Sequence, residues 1–181
     1  MFIKISLDEN GFYQGTVRSW CETPEGVDLP EGMDIENLSH LSYLDHGEWK
    51  SLDKAPSEYH VIDRVNKVWF DPRTLDQIKD HKWIEIKQQR EATEYGGFLF
   101  EGYFYDSDMT SQARIANASD LGVAMDWTTQ DNQVVFLSAE QLKALKMALA
   151  QHIALCHEKG RLARKLISES ETLEQIASVT Y

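Results

Sequence analysis

The feature that most constrains this chain is Ser138-Ala139-Glu140-Gln141, followed by a long apolar periodicity. The tetrad is a capping box. The Ser138 hydroxyl can accept from the amide at position 141, and Gln141 can reach back to the Ser138 N–H. Leu142, Leu145, Leu149, His152 and Cys156 follow at spacings of three and four. Leu155 and Leu162 widen this stripe and Leu166 extends it. The pattern predicts a helix over 138–167. Gly160 weakens it by about 1 kcal/mol relative to Ala without ending it. Thr172 and Gln175 form a second capping box. It predicts a break near 168–171 and a short terminal helix through Leu173 and Ile176.

Upstream, the chain reads as alternating strands and helices. Phe2 to Leu7, the turn Asp8-Glu9-Asn10-Gly11 and Phe12 to Val17 predict a hairpin, because Asn-Gly tolerates positive φ. Residues 22–40 hold Pro24, Gly26, Pro30 and Gly32 and read as a surface loop, with one helical turn near Asp34 to Leu38. Short β pieces follow at Leu41 to Leu44, around Trp49, and at Tyr59 to Ile62. A helix is expected after Phe70, with Asp71 as cap and Pro72 at its first position, running to about Glu91. Phe98 to Tyr105 predicts a hairpin turning at Glu101-Gly102. A helix over 109–118, capped by Asp106 or Asp108, comes next, then a hairpin over 123–137 turning at Gln130 to Asn132. The fold class is α+β. A β-rich module over 1–65 precedes a helix–hairpin–helix–hairpin–long-helix domain over 66–181.

Charge narrows the function classes. Thirty acidic and 18 basic side chains give a formal net charge of −12. Such a chain repels phosphate backbones and anionic membrane surfaces, so neither nucleic acid nor membrane is an expected partner. No run approaches the 18 or so apolar residues of a membrane span. The start, MFIKISLDENG, lacks the apolar stretch of a signal peptide, which predicts folding in a cytoplasm. Cys21 and Cys156 form no CxxC pair and are expected as free thiols.

From Asp71 to Ile176 the order of motifs resembles a domain of unknown function common in bacteriophage tail and tail-fibre-associated genes. Asp-Pro-Arg-Thr-Leu after a Trp leads a Lys-rich helix with Ile84, Lys87 and Arg90. Gly96-Gly97-Phe98 and the aromatic hairpin follow, then Asp106-Ser107-Asp108 with Ser111, Arg114 and Ile115. Trp127, a polar turn, Val135-Phe136-Leu137 and the helix bearing His152 and Cys156 complete it. The segment from Gly47-Glu48-Trp49 to Tyr59-His60 is similar to the region that leads into this domain. The resemblance implies a non-enzymatic tail or tail-fibre-associated structural or adaptor protein. Its partners would be other phage tail or tail-fibre proteins, as a homo-oligomer or bound to a trimeric fibre. It would assemble in the host cytoplasm and reside in the virion tail. A fibre-assembly chaperone is one alternative; a receptor-binding or glycan-depolymerising tail protein is another. The resemblance supplies no catalytic residue.

Several constellations admit a chemical reading beside a structural one. His152 and Cys156 share a helix face and could hold one metal. Zinc needs three or four ligands, so Cys21, His81 or an acid would have to complete the site, and packing is the preferred reading. Asp106-Ser107-Asp108 starts like a calcium loop. Ser111 and Asn117 stand where such a loop needs Gly and Glu, so helix capping is preferred. Ser107, Ser111 and Ser138 lack a Gly-x-Ser-x-Gly context. Pairs such as Glu91/Glu94 are expected by chance in so acidic a chain. Arg114 is read as a clasp onto Asp106 or Asp108, the alternative being an interface contact. Trp49, Tyr59, Trp69, Phe70 and Trp83 could form a saccharide platform, and core packing is preferred. No cofactor, metal or catalytic residue is assigned. The expected partner-contact residues are Leu142, Leu145, Leu149, His152, Leu155, Leu162 and Leu166.

If that stripe is buried, Leu149→Asp places an unpaired charge in an apolar site, at a cost of several kcal/mol. Loss of folding or assembly is expected, read by circular dichroism and size-exclusion chromatography. A folded, assembled variant would place Leu149 at the surface instead.

Overall fold

The computed structural model describes residues 2–21, 25–29 and 33–181. The α+β expectation is met: strands dominate the first part and helices the second. Two compact units divide between Arg73 and Thr74.

In the first unit, β1 (Phe2–Leu7) pairs antiparallel with β2 (Tyr13–Ser19), as the Asn-Gly turn predicts. Asp8 organises that turn, since its Oδ1 accepts from the amides of Asn10 and Phe12 at 2.9 Å each. Gly11 takes φ +87°, and a Cβ there would lie 2.8 Å from the Leu44 carbonyl oxygen. The loop expected over 22–40 needs correction. Val27–Asp28 form β3 on the other edge of β1, through backbone pairing and a 2.7 Å ion pair of Lys4 with Asp28. Two residues show no periodicity, so the strand left no pattern to read. Residues 22–24 and 30–32 of that loop lie outside the described residues. The helical turn is present as a 3-10 turn, Ile35–Asn37, capped by Asp34.

Next come two hairpins: β4 (Ser42–Asp45) with β5 (Glu48–Ser51), and β6 (Val61–Asp63) with β7 (Val68–Phe70). β7 pairs back on β6. The first unit therefore extends eight residues past the expected boundary at 65. Charged clasps fasten these short strands. Arg64 reaches Asp8 at 2.8 Å and lies over the Phe12 ring. Asp45 accepts from Lys50 at 2.7 Å and Lys67 at 2.8 Å, which holds its carboxyl well below the usual range.

The second unit begins with α1 (Leu75–Tyr95). Its cap is Thr74, in a capping box with Gln77, and not Asp71. The Asp71 carboxylate is taken by the fork of Arg73, at 2.6 Å to Nη2, which lowers its pKa to about 2. Arg73 in turn covers the Tyr59 ring. After α1 come β8 (Phe98–Phe100) and β9 (Tyr103–Tyr105), then α2 (Met109–Leu121). Glu101 and Gly102 both take positive φ in the tight turn, as a two-residue hairpin loop requires. Asp108 caps α2, accepting from the amides of Thr110 and Ser111 and from the Ser111 hydroxyl. β10 (Met125–Thr128) and β11 (Val134–Leu137) form the last hairpin.

Then α3 runs unbroken from Ala139 to Glu169, through Gly160. Both halves of its capping box are made, at 3.2 Å and 3.0 Å. It ends at Ser170, and α4 (Leu173–Ser178) follows with the expected Thr172–Gln175 box. α1 and α3 are antiparallel neighbours. His152 meets the carbonyls of Thr93 and Glu94, Gly160 faces Arg90, and Lys79 bonds the Ser168 carbonyl. One core gathers both hairpins, α2 and the first half of α3; a second joins α1, the far half of α3 and Val179.

Ser138→Ala removes the acceptor that starts α3. A loss of about 1 kcal/mol is expected, read as a lower urea midpoint with unchanged slope.

Candidate protein-interaction site

The expected contact stripe on α3 separates into two faces. Leu142, Leu145 and Leu149 are 0%, 0% and 5% exposed; Leu155, Leu162 and Leu166 are 57%, 58% and 45% exposed. The first three pack into the unit's own core with Phe98, Tyr105, Ile115 and Leu137. They are therefore not available to a partner in this fold. Beyond Leu149 the core-facing line continues through Cys156, Gly160, Ala163 and Ile167, each buried. The reason is geometric. α1 passes so close that a Cβ on Gly160 would lie 3.2 Å from the Arg90 Cδ. Small side chains fit there and leucines do not. Leu155 precedes Cys156 by one residue, about 100° around the helix, and so points away from α1 with Leu162 and Leu166.

His152 lies between the two faces, half-buried. Its Nε2 is 3.2 Å from both the Thr93 and Glu94 carbonyl oxygens, and its ring stacks on Phe98. Carbonyls only accept, so Nε2 carries the proton and closes the end of α1, where carbonyls lack helical partners. Cys156 Sγ stands 3.9 Å from that same nitrogen. A nitrogen protonated toward carbonyls has no lone pair to offer a metal. Among the described residues no three His, Cys, Asp or Glu side chains group as ligands. Both cysteines are free, Cys21 exposed and Cys156 buried. His157 pairs with the buried Glu94 at 3.3 Å. Tyr181 donates to the Cys156 carbonyl, and burial with this bond pushes its phenol up to about 12.

The remaining constellations resolve into structural roles. Ser107 is fully buried, donates to the Glu94 carbonyl and accepts from the Gly97 amide at 2.9 Å. It ties the end of α1 to the start of α2, a role that no sequence pattern signals. Arg114 corrects the expected clasp. Among the described residues it forms no ion pair with Asp106 or Asp108; the Asp108 carboxylate is engaged in capping α2, and the bond from the Ser111 hydroxyl, with a smaller contribution from the Arg114 charge, holds its carboxyl below the usual range. Arg114 instead lines a groove of about 510 Å³ with Asp106, Asn117, Met125 and Trp127. Of the aromatics, Trp83 packs on the core around Ile86 and Ala163, and Trp69 donates its indole N–H to the Asp53 carbonyl. Phe70 is exposed. Trp83 belongs to the second unit and the other four to the first.

The hairpins add apolar surface that alternation alone did not reveal. Leu99 and Phe104 face each other across β8 and β9, and both are exposed. Val134 and Phe136 are exposed on β11. Aromatic residues occupy both faces of β8 and β9, which hides the usual period of two. Between α3 and α4 lies a groove of about 500 Å³ lined by Leu162, Leu166, Ser170 and Val179.

Residues 77–180 match the family described as a domain of unknown function, DUF4376. This chain belongs to that family. The match covers nearly all of the second unit, so the DUF4376 domain is the fold from α1 to α4, including both faces of α3. No curated protein and no solved structure matches the chain. Among the described residues no helix is long and apolar enough to cross a membrane.

The two faces should respond differently to truncation. Leu145→Ala is expected to cost roughly 2–5 kcal/mol, while Leu162→Ser, measured at a dilution where the chain is monomeric, stays within about 0.5 kcal/mol of wild type. Chemical denaturation of both variants checks this, and equal losses would refute the division.

Proposed function

We propose that this DUF4376 protein is a non-enzymatic bacteriophage tail or tail-fibre-associated adaptor that works through protein–protein contacts. The observation that carries the contact reading is the row of exposed leucines on α3, with the exposed apolar outer faces of the two hairpins. Contiguous apolar surface on a folded domain marks interaction sites. The α3 row stands on a helix fixed by two cores, so docking on it needs little ordering of the protein. The tail context comes from the resemblance in the order of motifs from Asp71 to Ile176. The non-enzymatic reading is supported by the tasks of the polar side chains. Ser107, Asp108 and His152 are each engaged in fastening helix ends.

Mass spectrometry of purified virions from the source phage tests the adaptor role. The protein is expected among the tail components, at a fixed ratio to the fibre subunit. Its absence from mature particles, together with a requirement for it during fibre maturation, would replace the adaptor by an assembly chaperone. Binding or cleavage of a host glycan by the purified chain would overturn both.

A further inference from the structure

We propose that α3 pairs with α3 of a second copy, antiparallel, with Leu162 of each chain against Leu166 of the other. The inference rests on the exposed face of this helix and its surroundings and goes beyond the tail reading.

At 3.6 residues per turn each residue advances about 100°, which places Leu155, Leu162 and Leu166 within roughly 40° of one another. Lys159 and Glu169 then flank this row, about 40° to either side of Leu155. All five are exposed. The row is centred about 110° from the buried line of Cys156, Gly160, Ala163 and Ile167, so it faces neither α1 nor the core. Its spacings of seven and four are those of a coiled-coil seam, in which antiparallel helices meet layer by layer.

Charge selects the occupant and the register. Parallel pairing in register would set Lys159 on Lys159 and Glu169 on Glu169. Antiparallel pairing with Leu162 on its own copy would set Leu155 on Glu169 and Leu166 on Glu158. Pairing Leu155 with Leu166 would press Leu162 onto Lys159. With Leu162 on Leu166, each leucine of the central layer meets a leucine, and Lys159 of each chain meets Glu169 of the other. The sequence is thus complementary to itself about a two-fold axis, as an isologous dimer requires. A polar residue in a seam specifies register at some loss of affinity, and the Lys159–Glu169 layers have that role. In the same register Leu155 falls just past the end of the partner's α3 at Glu169, level with the start of α4, where Leu173 is exposed. The groove between α3 and α4 opens beside Leu162 and Leu166 and admits the partner's leucine at that layer.

Sedimentation velocity of the full chain over about a hundredfold range of concentration measures this association directly by mass action. A concentration-dependent dimer is expected. Leu162→Asp, exposed in the monomer, should give a monomer with unchanged far-UV circular dichroism. Lys159→Glu and Glu169→Lys should each weaken the dimer severalfold, and the double variant Lys159→Glu/Glu169→Lys should restore it. A wild-type monomer throughout, a trimer, a dimer that survives Leu162→Asp, or a double variant no better than the single ones would each overturn the pairing. A monomer would leave the tail reading standing, because presence in the virion is read independently.

Discussion

The close approach of α1 to α3 at Gly160 is the constraint on which the second unit depends. A line of small side chains, Cys156, Gly160 and Ala163, lets the Arg90 side chain of α1 lie against α3. Interaxial distance follows the size of side chains at the contact. Glycine weakens a helix, but here the missing Cβ makes the packing possible. The contact has an accompanying penalty. Arg90 Nε is buried without a hydrogen-bond partner, at a cost on the order of 1–3 kcal/mol. Once α1 occupies that side, two other features of α3 follow. The leucines one residue earlier turn outward, and His152 comes within reach of the α1 carbonyls.

The two units are held by different physics. In the first, few side chains are fully buried, Ile5 and Phe12 among them, and carboxylates clasp neighbouring segments. Asp8 holds Arg64, Asp45 holds Lys50 and Lys67, and Asp71 holds Arg73. Strands of three or four residues bury too little apolar area to hold one another unaided. The second unit relies on burial of aliphatic and aromatic side chains in two clusters.

Local chemistry made much of this legible in advance. The capping boxes at Ser138 and Thr172 and the turns at Asn10-Gly11 and Glu101-Gly102 each act over four residues and each is where the sequence places it, and of the two acids that the sequence offers for α2 Asp108 takes the cap. Features set by distant partners were not legible. Asp71 had the residue type of a cap, but Arg73 two positions on bonds it more strongly, and Thr74 took the cap with Gln77. In the sequence the stripe on α3 runs through leucines, because large apolar residues are the usual mark of a core. Only the position of α1 reveals that Gly160 is inside and Leu162 is outside. The buried Ser107 staple joins residues 13 apart and has no signature at all.

α3 belongs to both cores of its unit and spans 31 residues without a break, about 46 Å at 1.5 Å per residue. That gives the domain a mechanical character. A pull at its outer end travels along one hydrogen-bonded rod and arrives as shear on the packed hairpins at the other. Loosening the packing at one end therefore bears on the other through the helix that the two cores share.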